Sequence, residues 1–282
     1  MIEPLGLRHQ RVQRLRRLLS RRRVRRQDGA FVAEGATLIG VALQMGAEVE
    51  SVYLAPEAGD AEQTVADSAA GAGARVFELA GGVLERVADT VTPQPVLAVV
   101  RMPVASVEVV RQAALVVVCV GVRDPGNLGT VVRSATASGA DAVVCCTGSA
   151  DPFNPKTVRS SAGTVLQVPL VVDVDAGTVL DLLGAEGVRR VGAVASGGRP
   201  HTDVDWTRRS AVVLGNEASG LSDELVDRLD ERVTIPMAPA VESLNVSMAA
   251  TVLCFEVARQ RSNLHKMQDD GDRTAAPAVD RT

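Results

Sequence analysis

Ten residues in a row, Ala113 to Val122, are apolar or glycine, and they constrain the fold more than any other stretch of this 282-residue chain. The run does not alternate, so the strand it forms needs both faces covered, as in the middle of a parallel sheet with helices on each side. Ten residues are too few to cross a bilayer, and no membrane role is expected. With 46% hydrophobic residues the chain can fill the cores of two ordinary domains.

The segments after this run repeat the pattern of a strand followed by a helix. Arg123-Asp-Pro-Gly-Asn127 stands at its carboxyl end. Leu128, Val131, Val132 and Ala135 then mark one face of a helix that ends near Gly139, and Asn127 is expected to cap it. At about 100° per residue Arg133 points off that stripe, free to face a cleft or simply to be solvated. Strands are predicted over Ala142–Cys146, Val165–Val172, Val191–Ala195 and Ala211–Leu214. Helices are predicted over Thr178–Ala185 and from a Ser222 cap to Leu229. The loop Ile235 to Asn245 holds Pro236, Pro239, Ser243 and Asn245 between a strand (Arg232–Ile235) and a helix (Ser247–Arg261). It is a shaped turn on rigid flanks, where function tends to sit. Asn127, Glu217 and this loop all follow strand ends, the side on which open α/β sheets bind ligands. Taken singly, Glu217 could be a helix-cap carboxylate, and Ser243 and Asn245 turn formers.

Net charge is −4, unevenly placed: residues 1–26 hold ten arginines against Glu3, or +9, leaving −13 on the remainder. A helix is predicted from Arg8 to Arg26, with Val12, Leu15, Leu18 and Leu19 as its apolar stripe. Arg21, Arg22, Arg23, Arg25 and Arg26 are candidate phosphate contacts for a polyanion, since guanidinium suits bidentate phosphate binding. The competing reading makes them solvated filler. Aromatic residues are only 2%, which argues against a stacking platform for single-stranded bases. Strands at Phe31–Gly35, Val49–Leu54, Arg75–Glu78 and Val96–Val100, with helices at Thr37–Met45, Ala61–Ala70 and Gly82–Val87, make a small α/β domain. Met102–Ser106 interrupts the pattern. The expected division is therefore 1–105, 106–264 and a polar, unstructured tail over 265–282.

Several chemistries lack support. The dinucleotide and triphosphate glycine motifs are missing, as is H-E-x-x-H. Cys119, Cys145, Cys146 and Cys254 lie in apolar contexts without metal-ligand spacing and read as buried thiols. His9, His201 and His265 are isolated and read as surface residues. No secretory signal is visible, and a cytoplasmic setting is expected.

Three longer motifs decide between the remaining possibilities. DPGNLGTVVRSATASGA, VVLGNEASGLSDEL and VTIPMAPAVESLNVSMAA, in this order and spacing, closely resemble the signatures of the SpoU (TrmH-type) RNA 2′-O-ribose methyltransferases, over roughly residues 113–262. FVAEG after a basic helix resembles the small α/β substrate-binding domain of rRNA-directed members. Pro239 stands where many relatives have glycine. The resemblance implies an α/β fold whose C-terminal parallel sheet is SPOUT-like and tied in a deep trefoil knot. It implies S-adenosyl-L-methionine held by Leu214, Gly215, Asn216, Ile235, Met237, Leu244 and Asn245, and no metal. It also implies catalytic roles for Arg133, Asn127, Glu217, Ser243 and Asn245. The expected substrate is 23S rRNA, with a tRNA 2′-O-methyltransferase or a catalytically silent RNA-binding protein as alternatives. A homodimer is implied too. The expected contact is the helix face of Val246, Ala249, Ala250, Leu253, Cys254 and Val257, unless that face covers the subunit's own sheet.

Overall fold

A computed structural model describes residues 4–88, 90 and 92–274, with side chains as far as Leu264. The N-terminal part contains α1 (Gln10–Ser20), α2 (Arg22–Asp28), β1 (Ala30–Glu34), α3 (Ala36–Gln44), β2 (Val49–Leu54), α4 (Asp60–Gly71), β3 (Arg75–Glu78), α5 (Leu84–Val87) and β4 (Val96–Arg101). Its four strands are ordered β1-β4-β2-β3. The central β4 is antiparallel to both neighbours, whereas β2 and β3 run parallel.

The second part contains β5 (Leu115–Cys119), α6 (Pro125–Ala137), β6 (Ala142–Cys146), α7 (Pro155–Ser160), β7 (Leu170–Val174), α8 (Ala176–Ala185), β8 (Arg189–Ala193), β9 (Arg199–Pro200), β10 (Ser210–Leu214), α9 (Asp223–Val226), β11 (Glu231–Thr234) and α10 (Val246–Thr274). The sheet order is β7-β6-β5-β10-β8-β11-β9, parallel throughout. Every residue of β5 is fully buried. Its odd positions pack with α6 and α10, and Val116 and Val118 pack with α8 on the other face. The unbroken apolar run thus does what a doubly covered strand requires.

Four local expectations need correction. The predicted Arg8–Arg26 helix is two helices, because Arg21 adopts an extended conformation. The Arg25 guanidinium folds back to donate to the carbonyls of Leu18 (2.6 Å) and Leu19 (3.2 Å), which satisfies the end of α1 and fixes the break. The strand predicted from Val165 begins only at Leu170, since Thr164–Leu166 form a 3-10 turn entered through left-handed Gly163. The helix from Ser222 stops at Val226 rather than Leu229. The last helix continues to Thr274, so the boundary expected at 265 falls inside it; 275–282 lie outside the described residues.

The two parts share one core. Phe31 of β1 lies 5.2 Å from Phe153, ring centre to ring centre, and the boundary stretch Met102–Ser106 is pinned by Ala105 N–H donating to the Leu170 carbonyl. All four cysteines are buried and unpaired. Burial pushes the Cys146 and Cys254 thiols up to about 12, as expected of packing residues rather than ligands.

Candidate active site

Neighbouring parallel strands bring the three sequence motifs together. Leu214, the last residue of β10, is paired with Cys119, the last of β5. The loops after β5 and β10 therefore emerge side by side at the carboxyl edge, and the loop after β11 emerges at the same edge one strand further on, beyond β8.

Asp124 caps α6: its carboxylate accepts from the Asn127 N–H at 2.9 Å, and Pro125 occupies the first turn. Asn127 is thus the third residue of the helix, in its first turn, and not its cap, which corrects the sequence reading. Relieved of that duty, its amide enters the site. It donates to Glu217 Oε1 (3.1 Å) and accepts from Asn245 Nδ2 (2.9 Å). The Arg123 N–H, 3.3 Å away, also donates to the Glu217 carboxylate. Asn245 Oδ1 accepts from the Ser247 N–H at 2.8 Å, capping α10. One hydrogen-bonded chain thereby joins all three motifs.

Burial pushes the Glu217 carboxyl up, but hydrogen bonds from Asn127 and from the backbone of Arg123 and Asp124 outweigh this and hold it below the usual range. Glu217 is an ionised orienting group at neutral pH and a poor proton acceptor. Asp124 is held low in the same way, first by the Asn127 N–H and then by Lys156, whose ammonium lies 3.1 Å from it.

Beside this chain opens a cleft of about 460 Å³. Leu214, Gly215, Asn216, Ile235, Met237 and Leu244 line it, together with Ser243. Asn245 does not; its side chain is committed to Asn127 and the helix cap. Gly215 must be glycine, because a Cβ there would come within 2.5 Å of the Gly220 backbone. Glu217 and Glu242 are charged wall residues, and no Lys or Arg lines the cleft among the described residues. An apolar wall with two carboxylates fits a ligand bearing an apolar ring and positive charge. Sequence reasoning missed Glu242 and the Ala193–Ala195 wall. The latter sits at the end of β8, where the rule of strand carboxyl ends would have found it.

Arg133 is exposed on α6 and pairs with no carboxylate among the described residues. It does not line the cleft. Of the five arginines proposed for RNA, Arg25 is withdrawn: it is 2% exposed and bound to Asp151 at 2.6 Å. Arg22 and Arg26 are both held by Asp173, at 2.7 and 3.0 Å. Arg21 and Arg23 face solvent, as do Arg8, Arg16 and Arg17. The dimer face is corrected as well. Ala250, Leu253, Cys254 and Val257 are buried in the subunit's own core, and Val246 and Ala249 line the cleft.

The SpoU rRNA Methylase family model matches residues 114–255, just over half of the chain. The chain belongs to this family. A second model, the MRM3-like substrate binding domain, matches residues 9–98. The 23S rRNA (guanosine(2553)-2'-O)-methyltransferase RlmP of Bacillus subtilis is 32% identical over 85% of this chain and 92% of its own length. A 23S rRNA (uridine(2479)-2'-O)-methyltransferase of Streptomyces viridochromogenes is 31% identical over 90% of this chain and 91% of its own. The crystal structure of the SpoU methyltransferase AviRb from that organism, in complex with AdoMet, superposes with a TM-score of 0.82 at 30% identity. It covers 90% of this chain and 99% of AviRb. An AdoMet-bound rRNA methyltransferase from Sinorhizobium meliloti reaches the same TM-score at 27% identity, over 91% of this chain and 97% of its own. Among the described residues no helix is long and apolar enough to span a membrane, and no cluster of potential metal ligands occurs.

Proposed function

We propose that this family member methylates a ribose 2′-hydroxyl of 23S rRNA in the cytoplasm, using S-adenosylmethionine, with residues 1–105 as the RNA-binding domain and the methyltransferase running from 106 into the last helix. The observation that carries the reading is the Glu217–Asn127–Asn245 chain beside an acidic, apolar cleft. The two relatives with 23S rRNA activity, matched over nearly their full length, support the substrate class.

When bound, S-adenosylmethionine supplies an electrophilic methyl group. Leu214, Gly215, Ile235, Met237 and Leu244 hold it through backbone N–H and carbonyl groups and apolar side chains, and Glu217 and Glu242 complement its positive charge. Asn216 fixes the turn, since its Oδ1 accepts from the Ala218 and Ser219 N–H groups. Asn127, Ser243 and Asn245 shape the position of the reacting ribose. Arg133 does not lose its own proton. It clamps the target phosphate and polarises the 2′-hydroxyl, and a phosphate oxygen can accept the proton. The trefoil knot implied by the family likeness is part of this reading, supported by a strand order in which β10 inserts between β5 and β8.

The active unit in this reading is a homodimer, with a contact surface other than the buried face first considered. Met248 (61% exposed), Val252 and Phe255 (48%) form an apolar stripe on the outer side of α10. Mapping 2′-O-methylated nucleotides in rRNA and tRNA from cells with and without the protein tests the function. Loss of one 23S mark is the expected result. Loss of a tRNA mark would move the substrate, and no change in either would leave a silent RNA binder.

A further inference from the structure

The N-terminal domain grips one segment of the methyltransferase domain, residues 149–159, from two sides. From α2, buried Arg25 binds Asp151, and Arg22 donates to the Ser149 carbonyl at 3.0 Å. The segment is itself tightly made: Asp151 Oδ1 accepts from the Phe153 N–H, and its carbonyl accepts from the hydroxyl of fully buried Thr157. From the end of β1, Glu34 turns inward with only 7% of its side chain exposed. Its Oε1 accepts from Thr90 Oγ1 and the Gln94 N–H, both at 3.0 Å. Its Oε2 is buried without a hydrogen bond and stands 3.7 Å from a guanidinium nitrogen of Arg159 in α7. A carboxylate buried this deeply is kept there by its partners, the Thr90 hydroxyl, the Gln94 N–H and the Arg159 charge, so Glu34 ties the N-terminal domain to α7.

α7 carries that tie onward. It lies against the catalytic helix α6 at backbone distance: a Cβ on Gly129 would fall 1.9 Å from Ser160 Oγ and 2.4 Å from the Thr157 carbonyl. Lys156 of α7 reaches Asp124, the cap of α6, whose first turn bears Asn127. Packed helices at such a distance move together, because dense packing transmits displacement instead of absorbing it.

We infer that Arg25 and Glu34 are positioning residues for methyl transfer, acting through α7 on the first turn of α6 and hence on Asn127 and Arg133. The domain read as an RNA-holding module also sets the catalytic helix. This rests on the function proposed above, and the test separates the two.

Arg25→Met and Glu34→Gln in the full chain are compared with wild type by hydrogen exchange, without RNA. Both should raise deuterium uptake in peptides covering 124–133 as well as 149–160, while β6 stays protected. Uptake that rises at 149–160 and stops short of 124–133 overturns the link, whether or not the protein is a methyltransferase. Single-turnover methylation of unmodified 23S rRNA transcript is the second arm. Glu34→Gln should lower the rate by on the order of 10-fold, the scale of a sub-ångström misplacement. Dissociation constants for S-adenosylmethionine and RNA should move less than about 2-fold, which is under half a kcal/mol and no more than a minor change of contacts. A rate that falls only in step with RNA affinity makes Glu34 an RNA-domain residue and overturns the proposal. Should Arg25→Met fail to fold, the exchanged pair Glu34→Arg/Arg159→Glu decides: recovery of the rate over Glu34→Gln is expected, and none sinks the pairing. Wild type that leaves rRNA unmodified refutes the function instead, and the exchange arm still decides the link.

Discussion

Arg133 and Glu217 carry opposite charges and do different work. Arg133 has no partner to satisfy in the described structure, so its guanidinium is available to RNA. Replacing it by alanine should reduce methylation at least ~100-fold, the scale of losing a transition-state charge or acid–base group. Isothermal titration should show S-adenosylmethionine binding intact, since the residue does not line the cleft. Glu217 is tied to the fold through Asn127 and the Arg123 N–H. Its carboxyl is held below its unfolded value of about 4.3, so the stability it contributes is full above that pH and disappears as pH falls through the lower folded value. Glu217→Gln should therefore melt below wild type at pH 7, and the gap should close in acid. A gap that is constant from pH 7 down to about pH 3 would mean that the carboxylate charge is not what the network holds.

At the scale of elements, local periodicity was enough wherever a segment's environment is uniform. Strands β2, β3 and β6 occupy the very residues that alternation or apolar runs assign them. The break at Arg21 was not legible, because it depends on a guanidinium whose partner Asp151 is 126 residues away. The same distant carboxylate turns an arginine that looks like its neighbours into a buried strut. The proposed RNA contact is thereby confined to the exposed arginines of the two basic helices. Neutralising Arg8, Arg16, Arg17, Arg21 and Arg23 should weaken rRNA binding and flatten its salt dependence, with the thermal midpoint nearly unchanged. Arg25→Ala should do the reverse. Stranding buried Asp151 costs about 3–5 kcal/mol, read by urea denaturation, with little change in the salt slope. If both variants shift RNA binding alike, the division is wrong. The meeting of Asn127, Glu217 and Ser243 beside the cleft was legible from residue type, and their roles belong to the proposal. The capping role was misassigned because Asp124 and Asn127 are both good caps, and only Pro125 at the first helical position favours the earlier one.

For the whole molecule, the proposed dimer needs a face of α10 that the subunit leaves free. Sequence periodicity marks Ala250, Leu253, Cys254 and Val257 as apolar but cannot say whether a sheet or a second subunit covers them; here the subunit's own core does. That leaves Met248, Val252 and Phe255, spaced four and three residues apart on the solvent side. α6 is braced against α10 through Ser134 and Thr251, whose hydroxyls lie 2.7 Å apart. A contact along α10 would therefore bring α6, with the unpaired Arg133, toward the partner subunit. In an isologous contact each substitution is introduced twice, so one charge at the centre of the stripe places two like charges in an apolar setting. Phe255→Glu should yield monomers by sedimentation and lose methylation, while the circular dichroism spectrum stays that of the folded subunit because the side chain is half exposed there. Ala250→Arg should instead unfold the protein, since a guanidinium has no room at a fully buried alanine. Wild type that sediments as a monomer at concentrations where it is fully active would remove the dimer from the mechanism.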